Sequence, residues 1–484
     1  MDTPVLSSAH ECEATQQVAA LEKENAALRK KVEALEARHV RKSERMRSPR
    51  KEAQNKGEAP ATPSGNKNRD KDTRKDLPTE TIRTYVPEEQ CTCPKCGKHM
   101  ERTSETQDTI VERVPERLVH RTVVNEVREC GCGNSVTSQR PVRAYEQSDF
   151  GPALVANVVT QKLADSLPFY RQSGALLREG LYLHRNTLMD MFHGAAHALR
   201  PIWLRMVECV SESALVQADE TSIRVLSQEV CKTAFMWVFL NAQVIAYFFA
   251  PGRSGEIPRK VLGKANDVEG GQTLLADGYS GYNHVVNLDG WTRAGCLAHG
   301  RRKLHEAKES APDAVEGLDF IRWMYLVEHE AEERGIKGTQ EHLELRRTRS
   351  LPIFKAFQRW LVAHRPRHGP RTAMGKAIRY ALKQRKMWMR IFRDAAVPLD
   401  NNASESALRV VALLRKNAMF VGNDASGENH AILLSLVASC KLHKVNPEQY
   451  LADVLLRVQT HPHALIDELL PHNWKTLFQP QKSA

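Results

Sequence analysis

From Ser213 onward the chain changes texture, and this change limits its fold more than any other feature. Strand-like apolar runs follow at Ser213–Val225, Thr233–Asn241, Val244–Ala250 and Gln272–Asp277, with another near Thr292–Leu297. Each has strand length and is rich in β-branched or aromatic residues. The first three are close enough to pair as a meander, and the later ones alternate with helix-forming stretches. An α/β core is therefore predicted within a chain that otherwise reads as mainly helical and multidomain.

Three carboxylates stand at informative places in this pattern. Asp219, in Ala218-Asp-Glu-Thr, and Asp277, in Ala276-Asp-Gly-Tyr, belong to strand-like runs 58 residues apart, and Glu405, in Asp400-Asn-Asn-Ala-Ser-Glu, opens an amphipathic helix. Acids brought together from two strands and a helix can hold two hard divalent cations at one phosphodiester. Each also has a plainer explanation. Asp277-Gly278 is a strong turn dipeptide, Asn402-Ala-Ser-Glu405 has capping-box spacing, and Asp219-Glu-Thr reads equally as a polar strand edge. The helix after Glu405 repeats Ala407, Val411, Leu414 and Ala418 at helical spacing, which places Glu405 near its start. Three strands in meander followed by further strands and helices resemble a ribonuclease-H-like fold, in which one acid lies on the first strand and another at the end of the fourth.

The 484 residues suggest roughly three domains. A net charge of +12 and a pI near 9.2 point to a polyanionic partner. No apolar run approaches the ~18 residues of a membrane span, and no signal-type stretch opens the chain, so a cytosolic protein is expected. Ten cysteines are unevenly spread, with Cys91, Cys93, Cys96, Cys130 and Cys132 clustered. Cys93-Pro-Lys-Cys96 and Cys130-Gly-Cys132, joined by strand-like runs from Thr109 and Leu118, suit a structural tetrahedral zinc site better than a disulfide framework. Because the closing C-x-C is tight, Cys91 and His99 remain alternative ligands.

Val18, Leu21, Asn25, Leu28, Val32 and Leu35 alternate as heptad a and d positions. The lone Asn at an a position favours a parallel two-stranded coiled coil, although a helix packing on its own chain is the alternative. The basic stretch from Arg41 to Asp76 cannot bury enough surface to fold and reads as a linker. Helices are predicted at Pro152–Asp165, at Tyr170–Arg178 and from Leu183 to Phe192. Helix–Gly–helix is the form of a helix-turn-helix that would offer His184, Arg185, Asn186 and Thr187 to a DNA groove, and it is also common in ordinary bundles. The basic run Arg365–Arg393 with Tyr380, Trp388 and Phe392 reads as a DNA-covering surface or a solvated helical face. Cys296-x-x-His299 is only half a tetrahedral metal site, so a structural or phosphate-orienting role with Arg301 and Arg302 is expected.

Several motifs together carry a closer resemblance. Ala218-Asp-Glu-Thr, Ala276-Asp-Gly-Tyr-Ser-Gly-Tyr, Cys296-Leu-Ala-His-Gly-Arg-Arg-Lys and Asp400-Asn-Asn-Ala-Ser-Glu-Ser-Ala-Leu-Arg resemble transposases of the insertion sequence 66 family, within the DDE superfamily. Lys162-Leu-Ala-Asp-Ser-Leu-Pro-Phe-Tyr-Arg-Gln and Leu469-Leu-Pro-His-Asn-Trp474 extend the likeness over essentially the whole chain. The resemblance implies Asp219, Asp277 and Glu405 as a catalytic triad with two Mg²⁺ or Mn²⁺ ions, and zinc at Cys93, Cys96, Cys130 and Cys132. It also implies DNA as partner (terminal inverted repeats and target), accessory proteins of the same element, and a bacterial, cytoplasmic, nucleoid-associated setting. Two departures stand out: the second cysteine pair is not C-x-x-C, and Gly300 replaces a usual alanine-like residue.

The expected divisions are a coiled-coil dimerisation helix (1–42), a basic disordered linker (43–80), a zinc-binding β module (81–145) and a helical region that holds the helix-turn-helix candidate (146–207). The first part of the core (208–304), a helical insertion (305–394), the second part with the Glu405 helix (395–425) and a helical tail (426–484) follow. Arg409, Arg415 and Lys416 on the Glu405 helix join Arg185, Asn186, Arg301 and Arg302 as candidate DNA contacts. The rival readings are a catalytically silent DNA-binding regulator with the same fold and a non-transposing ribonuclease-H-like nuclease.

Overall fold

The computed structural model describes residues 143–146, 148–226, 231–266, 271–418 and 420–478, with Leu118 and two short strands, Val127–Glu129 (β1) and Ser135–Thr137 (β2). The heptad segment, the basic linker and the zinc candidates Cys93, Cys96, Cys130 and Cys132 lie outside the described residues, as do the runs read as strands at 109–114 and, beyond Leu118, at 119–124. β1 and β2 pair antiparallel, with Arg128 opposite Val136, and so bracket the Cys130-Gly-Cys132 pair in sequence.

Three helices precede the main sheet. Pro152–Leu163 (α1) starts with a proline at its first turn, where the missing N–H costs nothing. Phe169–Arg178 (α2) follows, and Gly180 (φ +90°) reverses the chain. Arg185–Ser211 (α3) is far longer than the expected Leu183–Phe192 and runs through Pro201. Gly194 lies within it, in the region 146–207 read as helical. A Cβ at that residue would lie 2.4 Å from the Tyr145 ring, so glycine serves close packing and not a helix end. Leu188, Met191, Phe192, Ala195, Leu199, Ile202, Met206 and Val210 form one continuous buried stripe.

Leu215–Leu226 (β3), Cys231–Leu240 (β4) and Ile245–Ala250 (β5) form the expected antiparallel meander. Glu256–Leu262 (α4) leads to Thr273–Ala276 (β6), and Asn283–Asp289 (α5) to Thr292–Gly295 (β7). β6 pairs parallel with β3, and β7 parallel with β6, giving the order β5-β4-β3-β6-β7.

Both faces of this sheet are covered. Leu274 and Ala276 join the larger core, whereas Leu275, between them, joins a second one, as period-2 alternation requires. The second core belongs to the helices Leu297–Ala307 (α6), Ala314–Glu333 (α7), Leu351–His364 (α9) and Ala373–Trp388 (α10), with the short Gln340–Leu345 (α8) between α7 and α9 in the chain. Ile321, Phe354, Phe357, Ile378, Trp388 and Phe392 fill it. Trp388 and Phe392 are therefore core residues and not a stacking surface. The expected insertion is an integral layer, since it takes strand residues Leu275 and Ala294 into its core.

Buried Arg346 ties this layer to the chain that follows. Its guanidinium clamps Glu328 in a bidentate pair (2.7 and 2.6 Å) and donates to the carbonyl oxygens of Ile391 (3.2 Å) and Val397 (2.9 Å). Asn402–Ala418 (α11) then packs across β3 and β4. Its buried residues are Ser404, Leu408, Val411 and Leu414, so the inward face is centred one residue from the Ala407 and Ala418 positions read from periodicity. Asp424–Leu442 (α12), Pro447–Arg457 (α13) and Pro471–Leu477 (α14) complete the fold. They are no loose tail: Leu433, Leu436, Leu451 and Trp474 belong to the larger core. Among the described residues, no helix is long and apolar enough to cross a membrane.

Candidate functional site

Strand register brings the first two acids level. Leu215 pairs with Thr273 and Gln217 with Leu275, an offset equal to the spacing of Asp219 and Asp277, which lie just beyond the paired positions. Asp219 follows Leu215 and Gln217 by whole strand periods, so it projects toward the side on which Leu215 meets the second core. On β3 that face carries Leu215 against the second core, and Ile223 and Val225 in the larger core that α11 also joins. Tyr247, on the same face of β5 by register, confirms where α11 lies, since its hydroxyl donates to Ala407 O at 2.7 Å. Asp219 therefore occupies the interval between two helical bodies.

Local amides use one oxygen of each aspartate. Asp219 Oδ1 accepts from Glu220 N and Asp277 Oδ1 from Tyr279 N, both at 2.9 Å. The turn reading of Asp277-Gly278 is thus correct for one oxygen. Arg293 fixes the same turn by donating to the carbonyl oxygens of Asp277 and Tyr279. Gly278 admits α10 closely, because a Cβ there would meet the Tyr380 ring at 2.6 Å.

The third acid is delivered by Asn401. Its buried amide donates to Ala218 O (2.8 Å), one residue before Asp219, while its backbone N–H donates to Cys296 Sγ (3.3 Å). Tyr325 donates to Asp400 (2.9 Å), and Leu297 N to Leu399 O (2.8 Å). Because α11 begins at Asn402, its N-cap is Asn401 and its N3 residue is Ser404, so Glu405 lies one position beyond the capping-box site. Its carboxylate does not cap: Oε2 accepts from Arg302 (3.1 Å), and Oε1 lies 3.6 Å from His299 Nδ1. Both Oε1 and Nδ1 are buried without a hydrogen-bond partner. A first-turn carboxylate also faces the positive end of the helix dipole.

Electrostatics link the three. Burial pushes the Asp219 carboxyl up to about 7, and the charges of Glu220, Asp277 and Glu405 push the same way against the Glu220 amide. Alternation sends Glu220 to the opposite face, where buried Tyr282 and half-exposed Arg253 hold it beneath Trp237. Burial is still the larger influence and raises its carboxyl. Glu220, Asn401 and Arg293 had no signal of their own in the sequence, because their partners lie on distant strands and turns.

Of the basic candidates, Arg302 is brought to the acids, and Arg301 is exposed beside it on α6. Arg409 and Lys416 are exposed on α11, whereas Arg415 is tied to β3 by donating to Ser222 O at 2.6 Å. Arg185 and Asn186 are exposed at the start of α3, with Asn186 N donating to His184 Nδ1 at 3.3 Å. The described residues that could hold a cation near the acids also include Cys296 and His299, whose ligand atoms lie within 4.8 Å of one another and of Glu405.

Comparison with known proteins agrees with this layout. The profile described as the transposase IS66 family matches residues 147–429, and that of the IS66 C-terminal element matches 435–472. The chain is similar to the uncharacterized protein y4hP of Sinorhizobium fredii, at 29% identity over 84% of this chain and 78% of the relative. Similarity to y4jD of the same organism is 29% over 83% and 81%, and to y4qI 30% over 66% and 62%. The first match alone spans the five-stranded sheet, α1 to α11 and all three acids. This chain belongs to the transposase IS66 family.

Proposed function

We propose that the protein is a DNA transposase that cleaves the ends of an insertion sequence and joins them to target DNA, with Asp219, Asp277 and Glu405 as its catalytic acids. One observation carries the reading: Asp219 on β3 feels the charges of both Asp277, just past β6, and Glu405, in the first turn of α11. The order β5-β4-β3-β6-β7, three strands antiparallel and the last two parallel, supports a ribonuclease-H-like core.

The donor set fits divalent cations. Three hard oxygen donors lie near enough for the charges of Asp277 and Glu405 to act on Asp219, which resists ionisation without a positive neighbour, and Glu405 Oε1 is buried with no partner. Bound Mg²⁺ or Mn²⁺ would supply activation of a water or 3′-hydroxyl and neutralise charge at the leaving oxygen. The chain's own residues do the positioning. Asp219 releases its proton when cations bind, Asn401 holds the start of α11 against β3, and Arg302 keeps Glu405 from turning to solvent. DNA is the substrate in this reading, with exposed Arg301, Arg409, Lys416, Arg185 and Asn186 on its phosphates. Zinc at Cys93, Cys96, Cys130 and Cys132 and a coiled-coil homodimer would organise two ends.

The experiment is cleavage and strand transfer with the element's own terminal repeats in Mg²⁺ and then in EDTA. Wild-type protein should cut and join only with metal, and Asp219→Ala, Asp277→Ala and Glu405→Ala should bind DNA without cutting. DNA binding with no cleavage by the wild type under any divalent cation would favour a silent regulator. Cutting without joining would favour a simple nuclease.

A further inference from the structure

The fold supplies what Cys296 and His299 lack as a sequence motif, a third ligand. Cys296 caps α6 and His299 lies in the first turn of the same helix, while Glu405 arrives from α11, 106 residues after His299 in the chain. Their three ligand atoms lie within 4.8 Å of one another. Cys296 is buried, and both His299 Nδ1 and Glu405 Oε1 are buried with no hydrogen-bond partner. Two orphaned polar atoms facing each other carry a desolvation cost that a shared cation would remove.

We propose that Cys296, His299 and Glu405 form a site for a borderline-soft divalent cation of the zinc class, distinct from the hard-oxygen site of the two aspartates. Zinc binds nitrogen and oxygen at about 2.0–2.2 Å and sulfur at about 2.3 Å, so tetrahedral ligand atoms stand about 3.4–3.6 Å apart. His299 Nδ1 and Glu405 Oε1 are 3.6 Å apart already. One thiolate, one imidazole and one carboxylate, with water as fourth ligand, select zinc over magnesium. On binding, the Cys296 thiol releases its proton to solvent and forms the S–Zn bond. Asn401 N, which donates to Sγ at 3.3 Å, stabilises the resulting thiolate.

The two cation classes share Glu405. Zinc on Oε1 holds that carboxylate toward His299, so low concentrations of zinc should inhibit magnesium-dependent cleavage. Only this consequence rests on Glu405 being a catalytic ligand.

The test is a Co²⁺ titration of reduced full-length protein, read by ligand-field and thiolate charge-transfer absorption, with Cys296→Ala and His299→Ala alongside. Wild type should take up one more Co²⁺ per chain than either variant, and excess Mg²⁺ should not remove that increment. Equal uptake and equal spectra in the three chains overturn the site. Thermal melts accompany the titration, and if Cys296→Ala does not fold, His299→Ala decides alone. Zinc inhibition that disappears in His299→Ala, measured against that variant's own uninhibited rate, supports the consequence. A Co²⁺ increment without zinc inhibition overturns the shared-ligand claim and leaves the site standing.

Discussion

Arg346 shows how one side chain can hold a layer in place. It is buried, clamped to Glu328 and bonded to the carbonyls that lead toward α11. Removing one partner of a buried ion pair leaves the other charge uncompensated, at about 3–5 kcal/mol. Arg346→Ala should therefore lower unfolding stability by about that much in urea, and a change under about 1 kcal/mol would contradict the assignment. His430 gives a pH-dependent counterpart. It is buried beside Lys162, with His193 also nearby, and its ring donates from Nδ1 to Ser426 O at 2.8 Å. Burial first, then the Lys162 charge, lowers its pKa from 6.5 to about 3. The unfolded chain thus takes the proton first, so this contribution is complete above pH 6.5 and is lost as pH falls toward 3. In His430→Leu, the melting temperature should fall less steeply than in wild type between those values. Parallel slopes would refute a buried neutral histidine.

At the scale of elements, the strands were the most legible part of the sequence. Apolar runs place β3, β4 and β5 within two residues of their observed bounds, because a sheet buried on both faces selects residue type at nearly every position. The helical character of α3 was legible, but its continuity past Phe192 rests on packing such as that of Gly194 against the Tyr145 ring. Glu405 was half legible: the helix start was placed correctly, but its use of Arg302 and His299 depends on α6, more than a hundred residues away. α12 solves a problem that no local pattern announces. β5 is an edge strand, and Ser435 and Ser439 accept from its Tyr247 N (2.7 Å) and Ile245 N (2.9 Å). Replacing both serines with alanine should cost about 1–3 kcal/mol and speed amide exchange at Ile245 and Tyr247. Unchanged exchange there would show that the hydroxyls do not protect the edge.

Across the whole molecule, the acids lie where two cores meet one sheet. The larger core takes α1, α3, α11 and the C-terminal helices, the second takes α6, α7, α9 and α10, and β3 passes from one environment to the other around Asp219. That interval leaves a strand acid half-buried with no cationic partner of its own, which accounts for its raised pKa. The family resemblance drew the three acids together before any geometry did, whereas spacing alone left each with a turn, cap or edge explanation. The geometry adds Asn401, Arg302 and Glu220 to the account, each through contacts between distant segments.

The central claim is that Asp219, Asp277 and Glu405 form one cation-binding unit, and Mn²⁺ binding followed by electron paramagnetic resonance tests it most directly. Full-length wild type should bind Mn²⁺, and alanine at any one of the three acids should weaken that binding by about tenfold or more, a loss of about 1.4 kcal/mol. Wild-type affinity retained in any one of the three folded variants would contradict the claim.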